Sequence, residues 1–338
     1  MGLIANPAAA HDIRRLSGLG SIVDNQEKAR ILRRVLLGLQ ATGVTQALAA
    51  PDHYGLAASA ASVSGLHVHV RLVDMECARD ETDSTRAAQY MADAGCACIV
   101  TLGGDGTNRA VAKGCGDVPL LAISTGTNNV IPERIEGVIA GMAAGLFTRG
   151  LIPQDLAVRN SKRLEVTRAT AVIETALVDI AASTTPFLGA RAVTDTTSLT
   201  QLWLTQAVPG TIGLAAIGAN VSPLSPRDDG ALLLDLAGQD PPQDCATVIA
   251  PIAPGQIERV GVRSWRRIAM GESVALAAFP RVLALDGERS LRVGADDASI
   301  AIRATWNGPR MLDTQAILDY AARHGLFVIG GDPGAIEG

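Results

Sequence analysis

The stretch Leu102-Gly-Gly-Asp-Gly-Thr107 constrains this chain more than any other part of it. It follows a short apolar run, Ala97-Cys-Ile-Val-Thr101, and precedes a helix-like segment, Asn108 to Lys113, so a strand, a glycine turn and a helix stand in series. Three glycines around one acid let the backbone reach positive φ and approach a ligand closely, and successive amides there can form an anion-binding nest. The following helix aims the positive end of its dipole at the same place. An acid inside such a cradle is electrostatically odd unless Asp105 meets a Mg2+ ion or takes a proton from an attacking hydroxyl, a pairing that points to phosphoryl transfer. Taken alone, Gly-Asp-Gly is equally a tight turn whose acid caps the next helix.

The flanking sequence supplies the setting. Residues 1–150 alternate short apolar runs with amphipathic helices, which is an α/β signature. Strands are expected at Gly2 to Asn6, Val44 to Ala50, His67 to Val73, Ala97 to Thr101 and Pro119 to Ile123. One helix places Leu32, Val35, Leu36 and Leu39 at 3,4 spacing, capped by Asp24 or Asn25 and stopped at Gly43. Another starts near Thr82, capped by Thr82 or Asp83, and ends at Gly95. A polar loop, Ser124-Thr-Gly-Thr-Asn-Asn129, runs on to Ile131, with Pro132 opening a helix to about Phe147. In an α/β sheet this loop and the glycine turn open at the same carboxyl edge. Its hydroxyls and amides can hold phosphates or a ribose without charge, although by itself it is an ordinary helix-entry turn. The Gly-x4-Gly-Lys-Ser/Thr pattern of an ordinary P-loop is absent.

From Leu151 the texture becomes strand-rich: Arg163 to Arg168, Ala171 to Thr175, Leu202 to Thr205, Ile252 to Val262, Ser273 to Ala278, Val282 to Leu285 and Ser290 to Val293. A last helix, Thr314 to His324, is capped by Asp313 or Thr314 and followed by the apolar run Leu326 to Ile329. The expected division is a nucleotide-binding domain over 1–150, a β-rich substrate domain over 151–310, and a C-terminal helix and strand over 311–338 that return to the first domain.

Composition agrees with two domains. The 338 residues are 48% hydrophobic and 19% charged, enough for sizeable cores and against a disordered chain. With 29 basic against 34 acidic residues, no global basic surface invites nucleic acid or an anionic membrane. No apolar run reaches the roughly 18 residues of a membrane helix, and no signal peptide is read at the start. Five cysteines, odd in number and without CxxC spacing, fit free thiols in a reducing compartment, hence a cytoplasmic protein. Arg109 and Lys113 share a helix face, either solvated or meeting phosphate oxygens. His67 and His69 share one side of a strand but lack a third metal ligand.

The two loops, with Asn6-Pro7 at the first strand end and Leu285-Asp-Gly-Glu288 near the C-terminus, resemble the superfamily of NAD kinases and diacylglycerol or sphingosine lipid kinases. Within it the chain is similar to the ATP-NAD kinase-like family of the acetoin catabolism protein X type, through Gly2 to Pro7, Ser21 to Lys28, Val100 to Asn108, Ile123 to Ile131 and Pro209 to Gly213. The resemblance implies an α/β Rossmann-like N-terminal domain, a β-sandwich-like C-terminal domain, and ATP meeting an acceptor hydroxyl in the cleft. It implies Mg2+, NAD as the leading acceptor, and a homodimer or homotetramer. Asp105 would accept or orient the hydroxyl proton. Asn6, Gly103, Gly104, Gly106, Thr107, Asn108, Thr125, Gly126, Thr127, Asn128 and Asn129 would hold the nucleotide, and no metal ligand is assigned. On the acceptor side, Asp179 keeps the carboxylate of the Asn-Glu pair of NAD kinases while Val178 replaces its amide. Gly210, Thr211 and Gly213 match a glycine-rich loop that offers Leu214 near the place of a tyrosine. Asp286 and Glu288 match the Asp-Gly-Glu of lipid kinases, a tripeptide that is also a common turn between strands. Two other readings stand beside the kinase: a nucleotide-binding accessory or regulatory protein, and a lipid kinase.

Overall fold

The computed structural model describes residues 1–9, 23–126, 129–185, 196–238, 245–276, 282–287, 289–294 and 300–328. Thr127, Asn128 and Glu288 fall outside the described residues.

Strands β1 (Gly2–Ala5), β2 (Gln46–Ala49), β3 (His69–Leu72), β4 (Ile99–Gly103) and β5 (Leu120–Ser124) form a parallel sheet in the order β3-β2-β1-β4-β5. The central strands β1, β4 and β5 read as nearly continuous apolar runs because both of their faces are covered, while the edge strand β3 is largely exposed. On one face lie α1 (Asn25–Ala41), the short α2 (Leu56–Ala61) and α5 (Gly137–Thr148), whose Leu32, Leu36, Ala140 and Ala144 meet Leu3, Val100, Leu102 and Ile123. On the other lie α3 (Glu81–Asp93) and α4 (Asp105–Ala112), with Met91 and Val111 against Ile4, Ile99 and Leu120. The chain winds outward from β1 to β3 and then returns to β4 on the other side of β1. The carboxyl ends of β1 and β4 therefore flank a topological switch point, where open α/β sheets bind ligands.

After α6 (Gln154–Ala157) and β6 (Val158–Arg159) the chain builds two antiparallel sheets. β7 (Arg163–Arg168), β8 (Ala171–Ala176), β14 (Ser273–Ala275) and β17 (Ile300–Thr305) make four strands in the order β14-β17-β7-β8. The other sheet has seven: β9 (Asp179–Ser183), β10 (Leu199–Leu204), β11 (Ala231–Leu236), β12 (Ala246–Ala253), β13 (Gln256–Ile268), β15 (Val282–Leu285) and β16 (Arg289–Arg292). Leu164, Val166, Ile300 and Ile302 pack onto Ile180, Trp203, Leu233 and Leu283, so the two sheets form a sandwich. β10 shows how alternation works when both faces are covered: Trp203 enters the sandwich while Leu202 and Leu204 meet Ile217 and Ala216 of the short helix α7 (Ala215–Ala219) on the reverse side. Finally β18 (Met311–Leu312) joins the first sheet beside β5, and α8 (Thr314–Arg323) packs Ile317 and Ala321 into the first core.

Several local expectations change. The cap of α3 is Asp80, whose carboxylate accepts from Thr82 N, while Asp83 accepts from Ala78 N and Arg79 N. α4 begins at Asp105, three residues before the expected start, because Gly104 already serves as its N-cap. Pro132 opens no helix. Glu133 bridges to Ile123 instead, and α5 begins at Gly137 with Glu136 as cap. The run Ile252 to Val262 contains the hairpin between β12 and β13, turning at Gly255 with φ 78°. Leu326 and Phe327 lie in a turn after α8 rather than a strand.

Candidate functional site

At the switch point, Asn6 follows β1 and the glycine turn follows β4. Asn6 Nδ2 donates to Thr107 Oγ1 at 3.0 Å, and Asn6 Oδ1 accepts from Ala8 N, so one side chain ties the end of β1 to the first turn of α4. Gly103 is required by this closeness, since a Cβ there would stand 2.5 Å from Thr107 Oγ1. Gly104 backs onto the second loop in the same way, its added Cβ falling 3.1 Å from Asn129 Oδ1. The amides of Gly106 and Thr107 open the helix, where no intrahelical acceptor exists.

Asp105 is a latch in this structure. Its carboxylate accepts from Val130 N, at 3.1 Å to Oδ1 and 3.0 Å to Oδ2, and from Ile131 N at 2.8 Å. The acid that begins α4 thereby holds the polar loop after β5 over the glycine turn. Within that loop Ser124 Oγ donates to Gly126 O and accepts from Asn129 Nδ2, and Thr125 is buried with its N donating to Gly103 O. Asn108 is placed differently from the expectation. Its side chain is fully buried, accepts from Thr101 Oγ1 at 2.6 Å and donates to Gly104 O, so it braces the turn from beneath.

Two groups from the second domain reach this region. Asp286 sits at φ 52° followed by Gly287 at φ 66°, both in the left-handed region, in the connection between β15 and β16. Its buried carboxylate accepts from Leu177 N, Val178 N and Asp179 N and lies 3.6 Å from Arg109 Nη1. Burial pushes the Asp286 carboxyl up from its ordinary value, against the pull of Arg109 and those amides. Asp179, also buried, begins β9 beside it and accepts from Asp286 N through its carbonyl. The loop carrying Gly210, Thr211 and Gly213 reaches the segment that Asp105 holds: Thr211 lines a cavity of about 190 Å³ with Val130, Ile131, Glu133 and Gln206, on the seam between the domains. Gln206 Nε2 donates to Val130 O, fixing that seam. Leu214 is in the core under α7, and Val178 is buried, so neither position offers a group to an acceptor.

Arg109 and Lys113 do not act as a face. Arg109 is 2% exposed and Lys113 is exposed. The sequence also conceals Lys28, fully buried in α1, whose Nζ donates to Pro7 O, Ala9 O and Asn25 Oδ1 and so shapes the chain after Asn6. Apolar periodicity carries no signal for a lysine that serves carbonyls. Among the described residues no cluster of three His, Cys, Asp or Glu side chains could hold a metal ion, and no helix is long and apolar enough to cross a membrane.

Comparison with known proteins agrees with this architecture. Residues 1–147 match the ATP-NAD kinase N-terminal domain, and residues 162–307 match the acetoin catabolism protein X C-terminal domain. A solved structure described provisionally as a diacylglycerol kinase, from Bacillus anthracis str. Sterne, aligns at a TM-score of 0.45 with 13% identity over 92% of this chain and 96% of its own, too distant to argue from. Acetoin catabolism protein X of Cupriavidus necator is 37% identical over 344 aligned residues, covering 97% of this chain and 93% of its own. A kinase-type glycine turn at the switch point of the first sheet, joined to a second domain of that type, places this chain in the acetoin catabolism protein X family.

Proposed function

We propose that this protein is an ATP-dependent phosphotransferase that phosphorylates a hydroxyl of a small molecule, with the 2'-hydroxyl of NAD as the leading acceptor and a role in acetoin catabolism. The observation that carries this reading is Asp105 at the start of α4, clamping the polar loop onto a glycine turn at the switch point of a parallel sheet. Gly103, Gly104, Gly106 and Thr107, with Thr125, Gly126 and Asn129, form the donor side, where backbone N–H groups meet phosphate oxygens without a lysine. The nucleotide phosphates would carry Mg2+, as is usual where the protein offers few carboxylates, and the ion would neutralise charge on the transferred group. Asp105 then orients the acceptor hydroxyl while keeping the loop closed. On the acceptor side stand Asp179 and the Asp286 turn, with the Thr211 loop at the seam.

A second reading is favoured by one specific observation. With Asp105 held by backbone amides, and Val178 and Leu214 buried, the chain has what it needs to bind a nucleotide and less of what it needs to grip a dinucleotide acceptor. It would then be a nucleotide-binding accessory protein. Incubation with ATP, Mg2+ and a panel of NAD, NADH and small hydroxylated metabolites separates the two. Acceptor-dependent ADP release that is lost in Asp105→Ala supports the kinase. ATP binding by calorimetry with no phosphorylated product from any acceptor supports the accessory role.

A further inference from the structure

Arg109 lies one turn beyond Asp105 on the same face of α4, and its side chain is 3% exposed. Taking a guanidinium out of water is costly unless it is fully paired. Here Nη2 donates to Glu81 Oε2 at 3.1 Å, and Glu81 is itself half exposed. Nη1 stands 3.6 Å from Asp286 Oδ2, an ion-pair distance, and neither Nε nor Nη1 makes a hydrogen bond. If packing alone were required at this position, a leucine or methionine would serve at lower cost. The partner is not a casual one. Asp286 is wholly buried, sits at positive φ, and gathers the amides of Leu177, Val178 and Asp179, so its carboxylate fixes the turn and the start of β9 together. Arg109 is thus a buried charged contact across the interdomain seam, between the helix that carries the glycine turn and the turn that carries Asp286.

We infer that Arg109 is a positioning residue: its guanidinium docks the Asp286 turn and the Asp179 strand end of the second domain onto the helix that carries the glycine turn, setting the acceptor side against the donor side. The inference rests on the phosphotransferase reading for its kinetic consequence but not for its structural one. The contacts of Arg109 are with Glu81 and Asp286, and it acts through the Asp286 turn. Its loss should spare the first-domain loops that hold ATP and misplace the acceptor carboxylate.

The test uses the full chain with Arg109→Met, Arg109→Lys and Asp286→Asn, read by ATP calorimetry, phosphotransfer kinetics and hydrogen exchange at residues 177–179. For Arg109→Met the expected result is ATP affinity within about twofold of wild type, kcat lowered tenfold or more, partial recovery in Arg109→Lys, and faster exchange at 177–179. Asp286→Asn keeps the shape and one accepting oxygen, so it reports on the charge contact even if Arg109→Met does not fold. It should show the same pattern more weakly. Wild-type kcat in Arg109→Met, or unchanged exchange at 177–179 in both the Met and Asn variants, overturns the inference. If the wild-type chain transfers no phosphoryl group, the kinase reading fails by itself, and the exchange data alone decide the role of Arg109.

Discussion

Replacing Asp105 by alanine should cost both stability and nucleotide affinity, and the two losses can be worked from the same contacts. The carboxylate receives two backbone N–H groups, from Val130 and Ile131, in three contacts between 2.8 and 3.1 Å. Alanine leaves both donors without an acceptor in a part-buried place. A stranded donor costs about 1–3 kcal/mol when buried and less where water reaches it, so the pair should cost about 2–4 kcal/mol. Asp105→Asn keeps one accepting oxygen and the same volume, and should lose about half as much. Urea unfolding of the three proteins measures this directly. Because the freed loop no longer closes over the glycine turn, ATP affinity should fall at least tenfold, which is about 1.4 kcal/mol. Calorimetry reads that second loss. An Asp105→Ala protein that unfolds within about 0.5 kcal/mol of wild type and binds ATP equally well would refute the latch, since surface changes without a structural role fall in that range.

Other consequences follow from single features. Gly103→Ala puts a methyl 2.5 Å from Thr107 Oγ1 and should destabilise by about 1–3 kcal/mol while breaking the Asn6–Thr107 bond, measurable by thermal unfolding with ATP protection lost. Lys162 donates to Ser225 O, Asp228 O and Gly230 O, and burial pulls its ammonium down to about 8 from 10.5. Its folded pKa lies below its unfolded one, so the unfolded chain binds more protons in this window, and the group's contribution to stability rises as pH goes from about 8 towards 10.5. Lys162→Met should remove that slope in denaturation series across the window, and an unchanged slope contradicts the assignment. Cys98 and Cys115 are buried with thiols pushed up to about 11, and Cys96 is buried as well, so a thiol reagent should titrate Cys77 and Cys245 in the native protein and the other three only after unfolding.

What the sequence made legible was what is local. Asp24 and Asp313 cap their helices as their spacing requires, and the strand, glycine turn and helix around Asp105 occur in series because each depends on neighbours within a few residues. Asn108 is expected at the nucleotide from the resemblance, and the structure places its amide on Thr101 and Gly104, contacts that depend on how α4 folds back against β4. Asp286 reads in the sequence as either a turn or a motif: the positive φ makes the turn, and Arg109, 177 positions earlier in the chain and so invisible to local pattern, gives the carboxylate its cation. Lys28 and Lys162 are invisible to hydrophobic patterning because they spend their charge on backbone carbonyls. The hairpin inside Ile252 to Val262 announces itself only through Pro254-Gly255, a turn signal outweighed by the apolar run around it.

The central claim is that the switch-point loops transfer a phosphoryl group. The most direct measurement is phosphorus NMR of purified protein with ATP, Mg2+ and the acceptor panel, beside Asp105→Ala. A new phosphomonoester resonance, with ADP formed in equal amount, is expected for at least one hydroxylated acceptor, NAD being the first to try, and is expected to be absent in the variant. ATP that stays intact with every acceptor, or a product that forms equally well in Asp105→Ala, would contradict it.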